Sequence, residues 1–269
     1  MNILLLGDIM GPAGRKAIIE KLPNIIKKKK IDFVILNGEN AGDLGVGITR
    51  KIFDDFLNAG ADVVTTGNHV WDEKEAMEFI TSEKRLLRPH NLIKGSPGNG
   101  YGIFNSKNNK KVAVINLMGN IFMKKSEDVF EEATKFINLV MLKEDADFII
   151  VDMHGEITSE KMAMGYLFDG KATMVVGTHT HVPTSDHIIM DKGTAYQTDV
   201  GMCGDYKSVI GMNRDNSLKK FFKDPSAKKH YPALGEATIS GLIVIANKET
   251  GLANAVEPII LGGALEKAK

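Results

Sequence analysis

The sequence predicts an α/β protein in which helices layer against sheet, and three observations carry that prediction. Short runs rich in Ile, Val and Leu recur along the chain, amphipathic stretches separate many of them, and chemically capable polar residues fall just after the apolar runs. Continuous apolar runs of this kind suit strands covered on both faces.

The elements follow in order. NILLLG is the first strand, and RKAIIEKL with NIIKKKK is a helix that Pro23 is expected to kink or divide, because proline lacks the N–H of an inner helical turn. Lys27 to Lys30 read as the solvated end of that helix, where cations suit its dipole. DFVILNG and ADVVTTG are strands, followed by the helices ITRKIFDDFLNAG and DEKEAMEFITSEKRLL respectively. KVAVINL, DFIIVDMHG, ATMVVGTH, TAYQTDVG and SGLIVIAN are the remaining strands, with a helix over EDVFEEATKFINLVMLKED. Residues 88–104 and 202–237 read as irregular, and such long loops are candidates for a rim over a site. No repeat, low-complexity tract or linker marks a boundary, so 1–269 is expected to be a single domain.

Composition limits the function. At 43% hydrophobic and 25% charged, 269 residues suffice to bury a sizeable core. Lys+Arg and Asp+Glu are both 34, so no overall field draws the chain to bulk nucleic acid or an anionic membrane, and an acidic ligand must be held locally. Ile3 to Leu6 is too short for a signal-peptide core or a spanning helix, and a cytoplasmic location is the default expectation. Cys203 is the only cysteine, which excludes internal disulfides and cysteine-based metal clusters; it reads as a small buried apolar residue.

The polar residues after the apolar runs are Asp8, then Glu39 and Asn40, then Asn68 and His69, then His154, then His179 and His181. Ligands of α/β sheets bind outside the carboxyl ends of the strands, so these residues are expected to share one crevice. Imidazoles, carboxylates and carboxamides without thiolate suit Fe, Mn, Zn, Ni or Co. Leaving His69 aside, seven candidate ligands are too many for one ion, whereas two ions about 3.5–4 Å apart would use them. Only Asp8 and Glu39 are anionic, so two divalent ions leave a positive centre that attracts phosphate. In THTH, residues i and i+2 of an extended chain point the same way, which is metal-ligand spacing for His179 and His181. In GNH, an Asn68 amide turned inward sends the adjacent His69 elsewhere, where it can protonate a leaving oxygen. Asp199, Asp152, Glu156, Thr178 and Thr180 are candidates for orienting ligands from behind. Trp71 and Tyr196 read as core residues before stacking platforms, and Met162 and Met164 as apolar filler.

In order, GDIM, NGEN, TGNHVWD, DMHGE and GTHTHVP resemble the motifs of the calcineurin-like metallophosphoesterases over about two thirds of the chain. Met10 stands where that family has a histidine and Glu39 where it has a bridging aspartate; Asn40 is adjacent and suited to the vacated place. With NGENA, THTHVPT, TDVGMCG and SVIGM, the variant is similar to the YmdB-like bacterial branch over nearly its full length. The resemblance implies a four-layered α/β/β/α sandwich and a dinuclear centre, iron first with manganese or zinc as alternatives. It also implies that Asp8, Asn40 and His181 hold one ion, Asn68, His154 and His179 the other, and that Glu39 bridges them. His69 is then the general acid in phosphodiester hydrolysis by a metal-bridging hydroxide, with 2′,3′-cyclic nucleotides among the substrates. The alternatives are a phosphomonoesterase or protein phosphatase with the same centre, or a regulatory module binding a nucleotide or partner with incidental turnover. The expected partner is a small phosphodiester, with neither membrane nor bulk nucleic acid; assembly into a homo-oligomer stays open.

Overall fold

The computed structural model describes residues 1–268. In chain order its first half comprises β1 (Asn2–Ile9), α1 (Gly11–Lys29), β2 (Phe33–Asn37), α2 (Arg50–Asn58), β3 (Val63–Thr65), α3 (Lys74–Phe79), β4 (Tyr101–Asn105) and β5 (Lys111–Met118). Then come α4 (Val129–Leu139), β6 (Phe148–His154), α5 (Thr158–Phe168), β7 (Met174–Thr178), β8 (Ile188–Ile189), β9 (Ala195–Gln197) and β10 (Met202–Cys203). The chain closes with α6 (Arg214–Phe221), β11 (Ile239–Ala246), β12 (Ala253–Leu261) and α7 (Gly263–Glu266).

Two sheets form. The first runs β12-β11-β1-β2-β3, with β10 also pairing β1; the second runs β4-β5-β6-β7-β9-β8. In each, a parallel centre carries antiparallel outer strands, β11 and β12 in one, β4 and β8 in the other. Ile3, Leu5, Phe33 and Ile35 of the first sheet pack against Val112, Val114, Phe148 and Ile150 of the second. The opposite face of the first sheet carries α1, α2 and α3 through residues such as Ile18, Leu22, Phe53 and Phe56. The outer face of the second carries α4 and α5 through Ala133, Phe136, Met164 and Phe168. The order is helix, sheet, sheet, helix, the four-layered sandwich implied by the resemblance. Apolar runs are continuous because both faces of the central strands are covered.

Several elements differ from expectation. α1 is one helix through Pro23. Pro23 and Ile19 are exposed, so the hydrogen bond that the proline cannot make is lost on the solvent side of the helix. The helix expected over 72–87 stops after Phe79 because β3 recruits Arg85 and Leu87: Val64 N–H donates to the Arg85 carbonyl and Leu87 N–H to the Val64 carbonyl. The segments read as irregular contain β4, β10 and α6. α5 escaped the sequence pattern because Met162 and Tyr166 are exposed opposite Met164 and Phe168, leaving no clean apolar stripe. β12 is a half-exposed edge strand, the place where Pro258 costs no ladder bond. No helix of the described residues is long and apolar enough to cross a membrane.

Candidate metal centre

The carboxyl ends of β1, β2, β3, β6 and β7, drawn from both sheets, meet at one point. Asp152 on β6 joins the sheets there: its carboxylate accepts from Thr65 Oγ1 of β3 at 2.5 Å, Asn37 Nδ2 of β2 at 3.1 Å and Thr178 Oγ1 of β7 at 2.7 Å. Burial pushes Asp152 up to about 6 against the pull of His154 and those hydroxyls. Gly67 permits the convergence, since a Cβ there would overlap Glu39 and His154.

All seven expected donors are in the cluster. His154 Nε2 lies 2.5 Å from Glu39 Oε2, 3.1 Å from Asn68 Oδ1 and 3.1 Å from His179 Nδ1. On the other side His181 Nε2 lies 3.2 Å from Asn40 Oδ1 and 4.0 Å from Asp8 Oδ1. Asp8 Oδ1 is 3.7 Å from His154 Nδ1 and so stands between the two groups. Asp8, Glu39 and His154 offer ligand atoms that all lie within 4.8 Å of one another. Asn40 donates its amide N–H to the Gly45 carbonyl, which turns its oxygen toward His181.

Each imidazole has its remote nitrogen held, which leaves the other one's lone pair for the centre. Thr178 Oγ1 donates to Asp152, so it accepts from His154 Nδ1–H at 2.9 Å. His181 Nδ1–H donates to the Ile210 carbonyl at 2.7 Å, and His179 Nε2 lies 3.2 Å from Glu156. Of the expected supporting residues, Asp152, Thr178 and Glu156 thus stand behind donors. Asp199 touches no imidazole: its Oδ2 accepts from Thr180 N–H at 3.1 Å and Thr180 Oγ1 at 2.8 Å, and pairs with buried Lys161 at 2.8 Å. It holds the loop between the two histidines.

That loop corrects the extended-chain picture of THTH. β7 ends at Thr178, and His179 and His181 have φ of +100° and +65°, a region that non-glycine residues enter only when their surroundings impose it. Asp199, Asp8 and Ile210 impose it here, Asp8 Oδ2 accepting from His179 N–H at 3.0 Å.

Charge among the side chains of the cluster is divided unevenly. Burial alone would raise Glu39, but His154, then His69 and His179, outweigh it and hold the carboxyl down at about 2. Burial opposes the His154 proton, yet Glu39 and Asp8 push it up to about 9. Burial and the His154 charge drive His179 down to about 3. Burial raises Asp8 despite His181 and His154.

His69 stands apart. Its backbone N–H donates to Glu39 Oε1 at 2.9 Å, but its Nδ1 is turned to Asp72 Oδ2 at 2.6 Å. The remaining ring nitrogen has no partner among the described residues, and His69 lines the cavity over the cluster. Residues 202–237 supply part of that cavity's rim as expected, through Val209, Ile210, Met212 and α6; 88–104 supplies none of it. Asn37, Asp72, Lys161 and Ile210 were missed from sequence. Asp72 had a signal in TGNHVWD, three residues after His69. Trp71 packs against the helix-side core and Tyr196 is buried; Cys203 is buried, and burial pushes its thiol up to about 12.

Residues 4–259 match the family described as YmdB-like protein. A 2′,3′-cyclic-nucleotide 2′-phosphodiesterase from Bacillus subtilis is 42% identical over 261 residues, 97% of this chain and 97% of its own length. A hypothetical protein from Thermus thermophilus has the same fold with TM-score 0.89 and 36% identity, over 98% of this chain and 100% of that one. A protein from Mycoplasma pneumoniae described as a novel phosphatase matches with TM-score 0.89 and 33% identity, over 100% of this chain and 96% of that one. With sequence similarity and fold agreeing across nearly its whole length, the chain belongs to the YmdB-like protein family.

Proposed function

We propose that this chain is a dinuclear-metal phosphodiesterase acting on 2′,3′-cyclic nucleotides. Membership of the family makes it a phosphate-ester hydrolase, and the name of the Bacillus subtilis relative supplies the substrate class. The observation that carries the reading is a mismatch in the cluster: Asp8 Oδ1 is buried without a hydrogen-bond partner, its nearest ring nitrogens 3.7 and 4.0 Å away, and Glu39 Oε2 is met only by the His154 ring. A buried carboxylate oxygen left unpaired is costly, and a cation is the partner that the imidazoles and amides around it are built to share. The residues therefore fit a metal centre.

On this reading Asp8, Asn40 and His181 hold one ion, Asn68, His154 and His179 the other, and Glu39 both. Nitrogen and oxygen donors without thiolate suit iron, with manganese or zinc as substitutes. When bound, the ions supply an activated water and neutralise charge developing on the phosphoryl oxygens. His69 keeps its imidazole off the donor set, with Nδ1 held by Asp72 and the ring lining the cavity. From there the doubly protonated ring, its Nδ1–H kept on Asp72, gives its other N–H proton to the departing alkoxide. Glu39 receives the His69 backbone N–H, which couples the position of the acid to that of the centre. Opening a 2′,3′-ring this way yields a nucleoside monophosphate. The reading includes a cytoplasmic location.

Rates on bis-p-nitrophenyl phosphate and p-nitrophenyl phosphate, before and after chelation, test it. Faster cleavage of the diester, abolished by chelator and restored by Fe or Mn, is expected. Faster cleavage of the monoester would favour a phosphomonoesterase.

A further inference from the structure

The cavity over the donor set has two unlike sides within a volume of about 580 Å³, a size suited to a small ligand. One side is polar, with Glu39, His69, Glu156, His179 and His181. The other is formed by Val209, Ile210, Met212, Ser217, Phe221 and His230. Phosphate chemistry uses only the first side, so the second calls for a different part of a ligand.

Three features of that wall point the same way. Phe221 is 77% exposed, an uncovered planar ring beside a polar centre. Ser217 lies one helical turn earlier on α6, on the same face. Although this residue is only 2% exposed, its hydroxyl has no hydrogen-bond partner. Helical serines commonly bond back to the carbonyl four residues earlier; here the Asn213 carbonyl takes the Ser217 backbone N–H and the hydroxyl is left over. Third, Ile210 ties the wall to the donor set. It is a β-branched residue at φ +47°, a conformation that needs outside support; its carbonyl accepts from His181 while its side chain stays exposed on the wall.

We propose that this wall is the nucleoside subsite of the enzyme, with the base stacked on Phe221 and a polar atom of the nucleoside bonded to the Ser217 hydroxyl after a small turn of that side chain. The inference rests on the phosphodiesterase reading above and names what that site selects. A nucleotide joins a planar ring to a phosphate in one molecule and so covers both sides of the cavity at once. The wall offers apolar, hydroxyl and imidazole groups and no side-chain carboxylate or guanidinium, so it holds a base by contact area more than by edge pattern. Purines are preferred to pyrimidines, without strict choice of base.

The test compares 2′,3′-cyclic AMP with glycerol 1,2-cyclic phosphate, a five-membered cyclic diester without a base, and follows 3′-AMP binding to the metal-loaded protein by calorimetry. In Phe221→Ala the preference for the nucleotide, as a ratio of kcat/KM values, is expected to fall about 5–150-fold, mostly through KM, with a parallel loss of 3′-AMP affinity. Ser217→Ala breaks no hydrogen bond present in the structure, so its melting temperature should be no lower, while 3′-AMP affinity falls about 2–10-fold. An unaltered preference in Phe221→Ala, or equal loss on both diesters, would overturn the subsite. Wild-type protein that cleaves neither diester yet binds 3′-AMP through Phe221 would retire the phosphodiesterase reading and leave the subsite standing.

Discussion

His69 Nδ1 lies 2.6 Å from Asp72 Oδ2, three residues along the chain, while the ring lines the cavity and its other nitrogen has no partner among the described residues. The pair fixes the ring's direction and tautomer. Replacing His69 by alanine is expected to lower kcat by about 10²–10⁴ with metal content retained. Asp72→Asn should give a smaller loss, since it leaves the ring but removes the carboxylate that fixes its direction. Unchanged turnover in His69→Ala would remove the general-acid role.

Glu39 faces two ways, with Oε2 toward His154 and Oε1 accepting the His69 N–H. Glu39→Gln removes one of the two carboxylates of the donor set. Metal content measured after dialysis is expected to fall well below wild type. Full occupancy would argue against a shared carboxylate at the centre.

Metal uptake should release a proton. In the metal-free protein Glu39 and His179 are already deprotonated at neutral pH, being held down at about 2 and about 3, whereas His154 is pushed up to about 9. A cation must therefore expel the His154 proton. Between pH 6 and 8 the affinity for Mn is expected to climb with pH by about one decade per unit or more, since the raised Asp8 carboxyl adds to the proton displaced. Calorimetry in buffers of different ionisation enthalpy reads the proton directly, and a binding heat independent of buffer would contradict the assignment.

The Lys161–Asp199 pair is buried, and the same carboxylate holds Thr180 between His179 and His181. Lys161→Met strands a buried charge, at an expected cost of about 3–5 kcal/mol in denaturant unfolding. Because the loop rests on Asp199, metal affinity should drop as well. A stability loss with normal metal affinity would show that the loop holds its shape without the pair.

Much of this was legible in sequence because parallel strands covered on both faces produce long apolar runs, and their carboxyl ends are where polar residues collect. Asp8, Glu39, Asn68 and His154 could be placed on one crevice for that reason alone. The route by which His179 and His181 join them could not, since their left-handed backbone is imposed by Asp199 and Ile210, distant in sequence. The same holds for Leu86 and Leu87, whose helical pattern yields to the free edge of β3. α6 and its Ser217 and Phe221 were hidden in a segment whose polarity read as loop.

The most direct measurement is metal content by elemental analysis of protein purified without added metal, with turnover of 2′,3′-cyclic AMP followed on the same sample. About two ions per chain, with activity lost on chelation and restored on reloading, is the predicted result. Less than one ion per chain, with no turnover recovered by Fe, Mn or Zn, would contradict the dinuclear centre.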